Sequence, residues 1–266
     1  MKYLPLIVVL ALVAALAFGL WRGAASDAEE GFATLDTERH IVIHCGNSMR
    51  PVAERIAERF QREQGIAVRF NFGGSAALLA AIALGEVGDL YLCHDPYAKR
   101  LADAGLLARA ETVGHLEPVL IVAPGNPLAI GALADLATPG LRVGLPDARY
   151  STAGAMVAAE LQRRDLAEAV QRNTRVQTRG HNDVAMALIN GHVDVAMAWN
   201  FITGYHAARL EPVATGIDWP ETRVTLCLLT HARDLNAAQR FIDLAQSPWG
   251  RQTFHEMGYT RSGPAP

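Results

Sequence analysis

The sequence has almost no lysine and no excess of basic residues. Lys2 and Lys99 are the only lysines among 266 residues, and the formal net charge is −3. A protein whose main partner is a nucleic acid needs basic side chains that displace counterions from the phosphates. The composition therefore argues against nucleic acid as the main partner.

The sequence also lacks the common signatures of catalysis. No serine lies in a G-x-S-x-G elbow, and residues 73–75 (Gly-Gly-Ser) lack both the Lys-Ser/Thr of a phosphate loop and the third glycine of a dinucleotide-binding turn. No pair of a base and a nucleophile is visible in the sequence. We therefore expect a protein that is not an enzyme and that holds no cofactor and no metal.

Cysteine is scarce, and its number is odd. Cys45, Cys93 and Cys227 are the three cysteines, and their spacings match no zinc motif. Cys227 lies in an apolar run at residues 224–229, where a small buried side chain is expected.

The N-terminal segment differs from the rest of the chain. Residues 4–21 form an uncharged apolar run between Lys2 and Arg22. The run has the charged start and apolar core of a signal peptide, and its length is also at the lower limit for a membrane-spanning helix. Residues 1–25 are therefore either a cleaved signal peptide or a retained membrane anchor, and both alternatives predict export. Residues 26–38 are predicted to be a tether.

From residue 39 onward, short apolar strands alternate with helical segments. This pattern predicts the α/β class, with mainly parallel sheets and helices on both faces. Around residue 119 a fresh β/α series begins, which predicts two lobes. We expect lobe I to comprise residues 39–118 and 211–266 and lobe II to comprise residues 119–210, with a ligand cleft between them.

Two turns in the first lobe share one design. A predicted strand leads into residues 45–48 (Cys-Gly-Asn-Ser), another leads into residues 73–75, and a helix is predicted to begin at each serine. A helix N-terminus presents unpaired N–H groups and a partial positive charge, so each turn is a potential half-socket for an anion. Residues 151–154 and 181–184 repeat the pattern in the second lobe. Four helix N-termini are therefore expected to face one cleft and surround a tetrahedral anion.

The order of these segments resembles that of the periplasmic molybdate-binding proteins, which are type 2 solute-binding proteins of ABC importers. The resemblance covers roughly residues 40–260. It implies a two-lobed type 2 periplasmic-binding-protein fold with a central ligand cleft, and an exported monomer that binds a small oxyanion such as molybdate or tungstate. It also implies membrane subunits of an ABC importer as partners. The segments that carry the resemblance are residues 45–49, 72–75, 88–90, 122–124, 153–154, 183–184 and 257–260.

The resemblance also implies which residues bind the ligand. In the family, two serines at the first-lobe caps hold the oxyanion, and they correspond to Ser48 and Ser75. Backbone N–H groups of the second lobe correspond to those of Ala153 and Val184. A tyrosine hydroxyl completes the family's shell, and Trp199 occupies the matching position, where its indole N–H can donate but not accept. The residues expected to line the site are Asn47, Gly74, Cys45 and Cys93.

The cysteines leave alternatives open. If the first and third strands are neighbours, as this fold implies, Cys45 and Cys93 lie close together. They then form a disulfide, remain two buried thiols, or bind a soft metal or metalloid together with His44 or His94. The last alternative predicts a different class of ligand. A further alternative is a membrane-anchored sensor or scaffold that uses the same fold and retains the apolar segment at residues 4–21.

Overall fold

The computed structural model describes residues 39–260. The predicted signal peptide or anchor at residues 1–25 and the predicted tether at residues 26–38 lie outside the described residues. Among the helices formed by residues 39–260, none combines the length and the apolar character that a membrane crossing requires.

Residues 39–260 form ten strands in two five-stranded sheets. The strands are β1 (His40–Gly46), β2 (Ala67–Gly73), β3 (Leu90–His94), β4 (Leu107–Leu116), β5 (Pro118–Val122), β6 (Val143–Pro146), β7 (Thr174–Thr178), β8 (Val195–Trp199), β9 (Glu211–Val213) and β10 (Thr222–Leu229). The strand order is β2-β1-β3-β10-β4 in the first sheet and β7-β6-β8-β5-β9 in the second. The predicted α/β alternation is confirmed.

Nine α-helices connect these strands within the same residues. They are α1 (Arg50–Gln64), α2 (Ser75–Ala83), α3 (Tyr97–Asp103), α4 (Thr152–Arg163), α5 (Ala167–Asn173), α6 (His181–Ile189), α7 (Phe201–Tyr205), α8 (Leu235–Gln246) and α9 (Pro248–Glu256). Two short 3-10 helices, Asn47–Met49 and Leu133–Ala137, complete the set.

The sheets are mixed, and the expectation of mainly parallel sheets is wrong. In the first sheet β1 is parallel to β2 and β3, whereas β10 is antiparallel to β3 and β4. In the second sheet β6 is parallel to β7 and β8, whereas β5 is antiparallel to β8 and β9. The reason is the path of the chain. A strand that arrives from the other sheet begins where the local β/α strands end, and it must run in the opposite direction.

The chain crosses between the sheets through short segments. Glu117 alone separates β4 from β5, and its N–H donates to the side-chain oxygen of Asn200 at 3.2 Å. The amide nitrogen of Asn200 donates to the carbonyl of Thr260, so this one side chain joins the crossing to the C-terminal end of the described chain.

The chain returns to the first sheet later than residue 211, where lobe I was expected to resume. Strand β9, at residues 211–213, pairs with β5, and Trp219 still packs in the apolar core of the second sheet. The chain joins the first sheet again only at Thr222. The three-residue edge strand with a central proline has no strand signal of its own, because proline cannot donate to a ladder.

The apolar core holds the two sheets together. The largest cluster of buried side chains includes residues of both sheets, among them Ile41 and Leu92 of the first and Ile121 and Trp199 of the second. A smaller cluster lies within each sheet. The carboxyl ends of β1 and β2 and those of β6 and β7 each lead into the start of a helix, and these four helix starts include the predicted binding residues.

Candidate functional site

Ser48 lies in the turn that follows β1. The strand ends at Gly46, the 3-10 helix Asn47–Met49 follows, and α1 begins at Arg50. The Ser48 hydroxyl does not cap this helix start, contrary to the expectation that the serine stands at the cap. Its carbonyl oxygen instead accepts a hydrogen bond from the hydroxyl of Tyr259 at 2.7 Å. The backbone of Ser48 therefore holds the turn in place, and its half-buried side chain remains available to a ligand.

Ser75 is the first residue of α2, and Gly74 is the N-cap. The Ser75 side chain caps no N–H group of this helix, and the residue is only 7% exposed. Its carbonyl oxygen accepts from the buried hydroxyl of Tyr91 at 2.7 Å. A methyl group added to Gly46 would lie 2.8 Å from Ser75 Oγ, so the two first-sheet turns meet at this point. Asn47 and Gly74 are exposed at the edge of these turns.

Ser151 is the N-cap of α4, and its hydroxyl does cap the helix. Ser151 Oγ accepts from the N–H of Gly154 at 3.2 Å. Ala153 is the second residue of the helix and is buried, and an N–H at this position has no intrahelical acceptor. Position 154 has no room for a side chain, because a methyl group there would lie 2.5 Å from the carbonyl oxygen of Pro146.

Val184 is fully buried in the first turn of α6. This helix begins at His181, so Val184 is its fourth residue. The fourth N–H of a helix normally donates to the cap carbonyl, as Leu78 does to Gly74 at 3.1 Å. Within residues 39–260 the Val184 N–H makes no comparable bond to Gly180, whose carbonyl accepts from the Thr178 hydroxyl at 2.7 Å.

The starts of α4 and α6 are joined through His181. His181 Nε2 lies 3.3 Å from Ser151 Oγ, and His181 Nδ1 accepts from the backbone N–H of Trp199 at 3.3 Å. Burial, with a further contribution from His94, lowers the pKa of His181 from 6.5 to about 3, so the imidazole is neutral. A neutral imidazole that accepts at Nδ1 carries its proton on Nε2.

This tautomer distinguishes the Ser151–His181 pair from a catalytic dyad. In a hydrolase the histidine accepts the serine proton at Nε2 and is held in that tautomer by an acceptor at Nδ1. Here Nδ1 faces a donor, the N–H of Trp199, and Nε2 therefore donates to the serine. The pair is built to orient a hydroxyl, whereas activation of a nucleophile requires the opposite tautomer.

Trp199 brings the two sheets together at the site. It ends β8 and is 1% exposed, and its ring packs against those of His181 and His94, with centroids 5.8 and 5.9 Å apart. His94 ends β3 of the first sheet, and its Nδ1 donates to the carbonyl of Asp95 at 2.8 Å. Burial also lowers the pKa of His94, so the rings on both sides of the tryptophan are neutral.

A second contact joins the first-sheet turn to the second sheet. Tyr259, whose hydroxyl donates to Ser48, stacks on the ring of Phe201 at 5.4 Å with an interplanar angle of 9°. Phe201 in turn packs edge-on against His181, with centroids 6.3 Å apart. Sequence reasoning did not include Ser151, His181 or Tyr259 among the site residues.

Of the three alternatives for Cys45 and Cys93, the structure confirms two buried thiols. All three cysteines are free and buried. In the register of β1 and β3, Cys45 is paired with Leu92, so Cys93 points to the other face of the sheet. Cys45 and Cys93 accordingly belong to different apolar clusters. This geometry excludes a disulfide or a shared soft-metal site between them.

No group of three or more metal-binding side chains occurs within the described part of the chain. Burial raises the pKa of the Cys45 thiol far above its usual value, so this thiol is neutral and lies in an apolar environment. Cys45 and Cys93, which were expected to line the oxyanion site, both have side chains buried in the apolar core.

The sequence is similar to those of known binding proteins. The sequence pattern of a family described as bacterial extracellular solute-binding proteins matches residues 41–260. A putative binding protein of Haemophilus influenzae is 23% identical over 220 residues, which cover 82% of this chain and 90% of the relative. The molybdate-binding protein ModA of Mycobacterium bovis is 24% identical over 247 residues, which cover 90% of this chain and 91% of that protein.

A similar fold occurs among solved structures. The substrate-binding domain of a putative molybdenum ABC transporter from Clostridium difficile superimposes with a TM-score of 0.68 at 18% identity, covering 84% of this chain and 99% of that chain. At this identity the similarity shows the fold, which is the two-lobed periplasmic-binding-protein fold. Because the family pattern spans nearly all of the described residues, this chain belongs to the bacterial extracellular solute-binding proteins.

Proposed function

We propose that the protein captures a small tetrahedral oxyanion of the molybdate or tungstate kind outside the cytoplasm and delivers it to the membrane subunits of an ABC importer. It acts as a monomer and performs no catalysis. The observations that carry the proposal are that the two helix starts of each sheet meet, at Gly46 and Ser75 and at Ser151 and His181. Ring contacts of Trp199 with His94 and His181 join the two sheets beside them.

The donors at these helix starts suit an oxyanion. The hydroxyls of Ser48 and Ser75 and the N–H groups of Ala153 and Val184 are the proposed ligands. Hydrogen-bond donors that are buried without partners are costly, and an anion that accepts from all of them removes this cost. Each donor also lies in or beside a helix start, where the partial positive charge favours an anion.

The proposal includes a role for Trp199. Its indole N–H takes the place of the tyrosine hydroxyl that the family resemblance implies, and its bulk narrows the space available to the ligand. The histidines beside it are neutral, so the selectivity of the site comes from cavity size and fixed donors. The names of the molybdate-related proteins above support this ligand class.

Lobe I is proposed to hold the first sheet and lobe II the second, with closure of the lobes around the anion. The N-terminal segment at residues 1–25 is proposed to direct export, as a cleaved signal peptide or as a retained anchor. The location outside the cytoplasm agrees with the description of the family.

A thermal-shift titration tests the proposal. Molybdate, tungstate or sulfate should raise the melting temperature with the logarithm of its concentration, because the anion binds only the folded state. Sodium chloride at matched ionic strength is the control and should give no comparable shift. The absence of a shift with any of the three anions at millimolar concentration would overturn the proposal.

A further inference from the structure

The backbone N–H of Trp199 determines the direction of the hydrogen bond between His181 and Ser151. Because this N–H can only donate, His181 Nδ1 must accept, and the proton of the neutral ring is on Nε2. His181 therefore donates to Ser151 Oγ across 3.3 Å. The direction of this hydrogen bond is set by the protein and does not depend on a ligand.

Ser151 Oγ then accepts two hydrogen bonds. One comes from His181 and the other from the N–H of Gly154 at 3.2 Å. A serine hydroxyl has two acceptor positions and one proton to donate. Both acceptor positions are occupied, and within residues 39–260 the proton has no acceptor, although the residue is only 7% exposed.

Ser247 shows how a purely structural cap differs. It is the N-cap of α9, and its hydroxyl accepts from the N–H of Gly250 at 3.1 Å, just as Ser151 accepts from Gly154. The Ser247 hydroxyl also donates to the carbonyl of Leu244 at 2.7 Å. Its proton is therefore used within the protein.

We propose that the Ser151 hydroxyl donates directly to the bound oxyanion and that His181 is the positioning residue that aims it. This inference rests on the proposed function. Ser151 lies two residues before Ala153, and His181 lies three residues before Val184, so the hydroxyl stands among the proposed second-lobe donors.

The arrangement also restricts the class of ligand. With both acceptor positions occupied, the Ser151 hydroxyl can donate but cannot accept. The ligand oxygen that faces the Ser151 hydroxyl must therefore be an acceptor. If an oxyanion presents a hydroxyl group at this point, its proton and the Ser151 proton face each other and no hydrogen bond forms. The site should therefore favour a fully deprotonated dianion, such as molybdate or sulfate, over hydrogen phosphate.

Two matched serine variants test the direct contact. In Ser151→Ala the dissociation constant for molybdate, measured by calorimetry, should rise roughly ten- to a hundredfold, because a hydrogen bond to a charged ligand is lost. Ser247→Ala removes an equivalent cap and should lower the melting temperature similarly, but its dissociation constant should stay unchanged. Equal affinities of Ser151→Ala and the wild type would overturn the inference.

Two histidine variants test the positioning role. Glutamine can place an N–H near the position of His181 Nε2, whereas asparagine reaches only the position of Nδ1. His181→Gln should therefore bind molybdate within about threefold of the wild type, and His181→Asn about tenfold more weakly. Equal affinities for the two variants would contradict the role of His181.

An independent measurement needs no ligand. Nitrogen chemical shifts of the His181 ring in the wild-type protein should show the neutral tautomer with the proton on Nε2. A proton on Nδ1 would overturn the inference even if the anion binds. Conversely, a wild type that binds none of the oxyanions would refute the proposed function, while the tautomer would still be measurable.

Discussion

Ser151 and Ser247 cap two helices with the same local sequence device. Both are followed three residues later by a glycine whose N–H the serine accepts, at 3.2 and 3.1 Å. The Ser247 proton is donated to the preceding turn, whereas the Ser151 oxygen accepts a second bond from His181 and its proton is left over. A serine that caps a helix is therefore a candidate binding group only when its hydroxyl proton has no acceptor within the protein.

Among single substitutions, the largest expected effect comes from the glycines of the two caps. Gly154→Ala should destabilise the protein by about 3 kcal/mol, because the added methyl group meets the carbonyl of Pro146. Gly250→Ala should do the same, because its methyl group would meet the carbonyls of residues 244 and 245. Urea unfolding measures both losses.

Only one of these variants should affect binding. Gly154→Ala displaces the start of α4 and with it the N–H of Ala153, so the affinity for molybdate should fall as well. Gly250→Ala should keep the wild-type affinity in the fraction that remains folded. A stabilised Gly154→Ala variant would contradict the crowding, since an alanine in an uncrowded helix gains about 1 kcal/mol over glycine.

The first-sheet serines give the next largest effect, and unlike Ser151 and Ser247 they cap no helix. Ser75→Ala and Ser48→Ala should each weaken molybdate binding by about 1–3 kcal/mol, with little change in stability. Calorimetric titration and urea unfolding of the same samples separate the two quantities. A loss of stability with unchanged affinity would assign these serines a structural role.

Acidification provides a third test. His181 has a pKa of about 3 in the folded protein and 6.5 ordinarily, so below pH 6.5 the unfolded chain binds a proton that the folded protein does not. The stabilisation is complete above pH 6.5 and is lost toward pH 3, by about 1.4 kcal/mol per pH unit. Burial also lowers the pKa values of His44 and His94, which steepens the loss.

The pH dependence should differ between variants. In urea unfolding between pH 4 and 7, His181→Gln should show a slope shallower by one proton than the wild type. Ser247→Ala should keep the wild-type slope, because the hydroxyl that it removes bonds to the backbone groups of Leu244 and Gly250. Identical slopes for His181→Gln and the wild type would mean that His181 is protonated in the folded protein.

The smallest effect is expected at Gly74, a cap with free space around it. It has an ordinary φ of −69°, and a methyl group added there has no heavy atom within 4 Å. Alanine is a weaker N-cap than glycine, which lowers stability, but it also reduces the conformational entropy of the unfolded chain, which raises stability. These two contributions nearly cancel. Gly74→Ala should therefore change the free energy of unfolding by less than about 0.5 kcal/mol.

Much of the fold is predictable because the local signals are strong. Helix α1 has Pro51 in its first turn and ends at Gly65, which has a φ of 62°, so both ends are marked in the sequence. Strand β4 has a weaker signal in the sequence because it lies at the edge of its sheet. Its charged residues Arg109 and Glu111 face solvent as an ion pair, which hides the apolar alternation.

The alternatives for Cys45 and Cys93 stayed open in the sequence for a different reason. Neighbouring strands were correctly inferred for β1 and β3, but the face of each side chain depends on the register. A shift of one residue moves every side chain to the other face. The pairing of Cys45 with Leu92 was not visible in the sequence, and it separates Cys45 from Cys93.

The contact between Ser151 and His181 was missed because 30 residues separate them in the sequence. A signal was nevertheless present. Strands β6 and β7 are parallel neighbours, so the helices that follow them begin side by side. The orientation of the imidazole depends on the N–H of Trp199, which comes from a third strand, and local sequence contains no sign of this.

The position of Trp199 should make the intrinsic fluorescence of the protein sensitive to ligand binding. Its indole lies between two histidine rings at the meeting point of the sheets, whereas Trp219 is bonded to Thr215 and Trp249 lies beneath Arg59. The emission of a buried indole depends on the polarity and quenching groups around it. Intrinsic fluorescence should therefore follow occupancy of the cleft in real time, without a label.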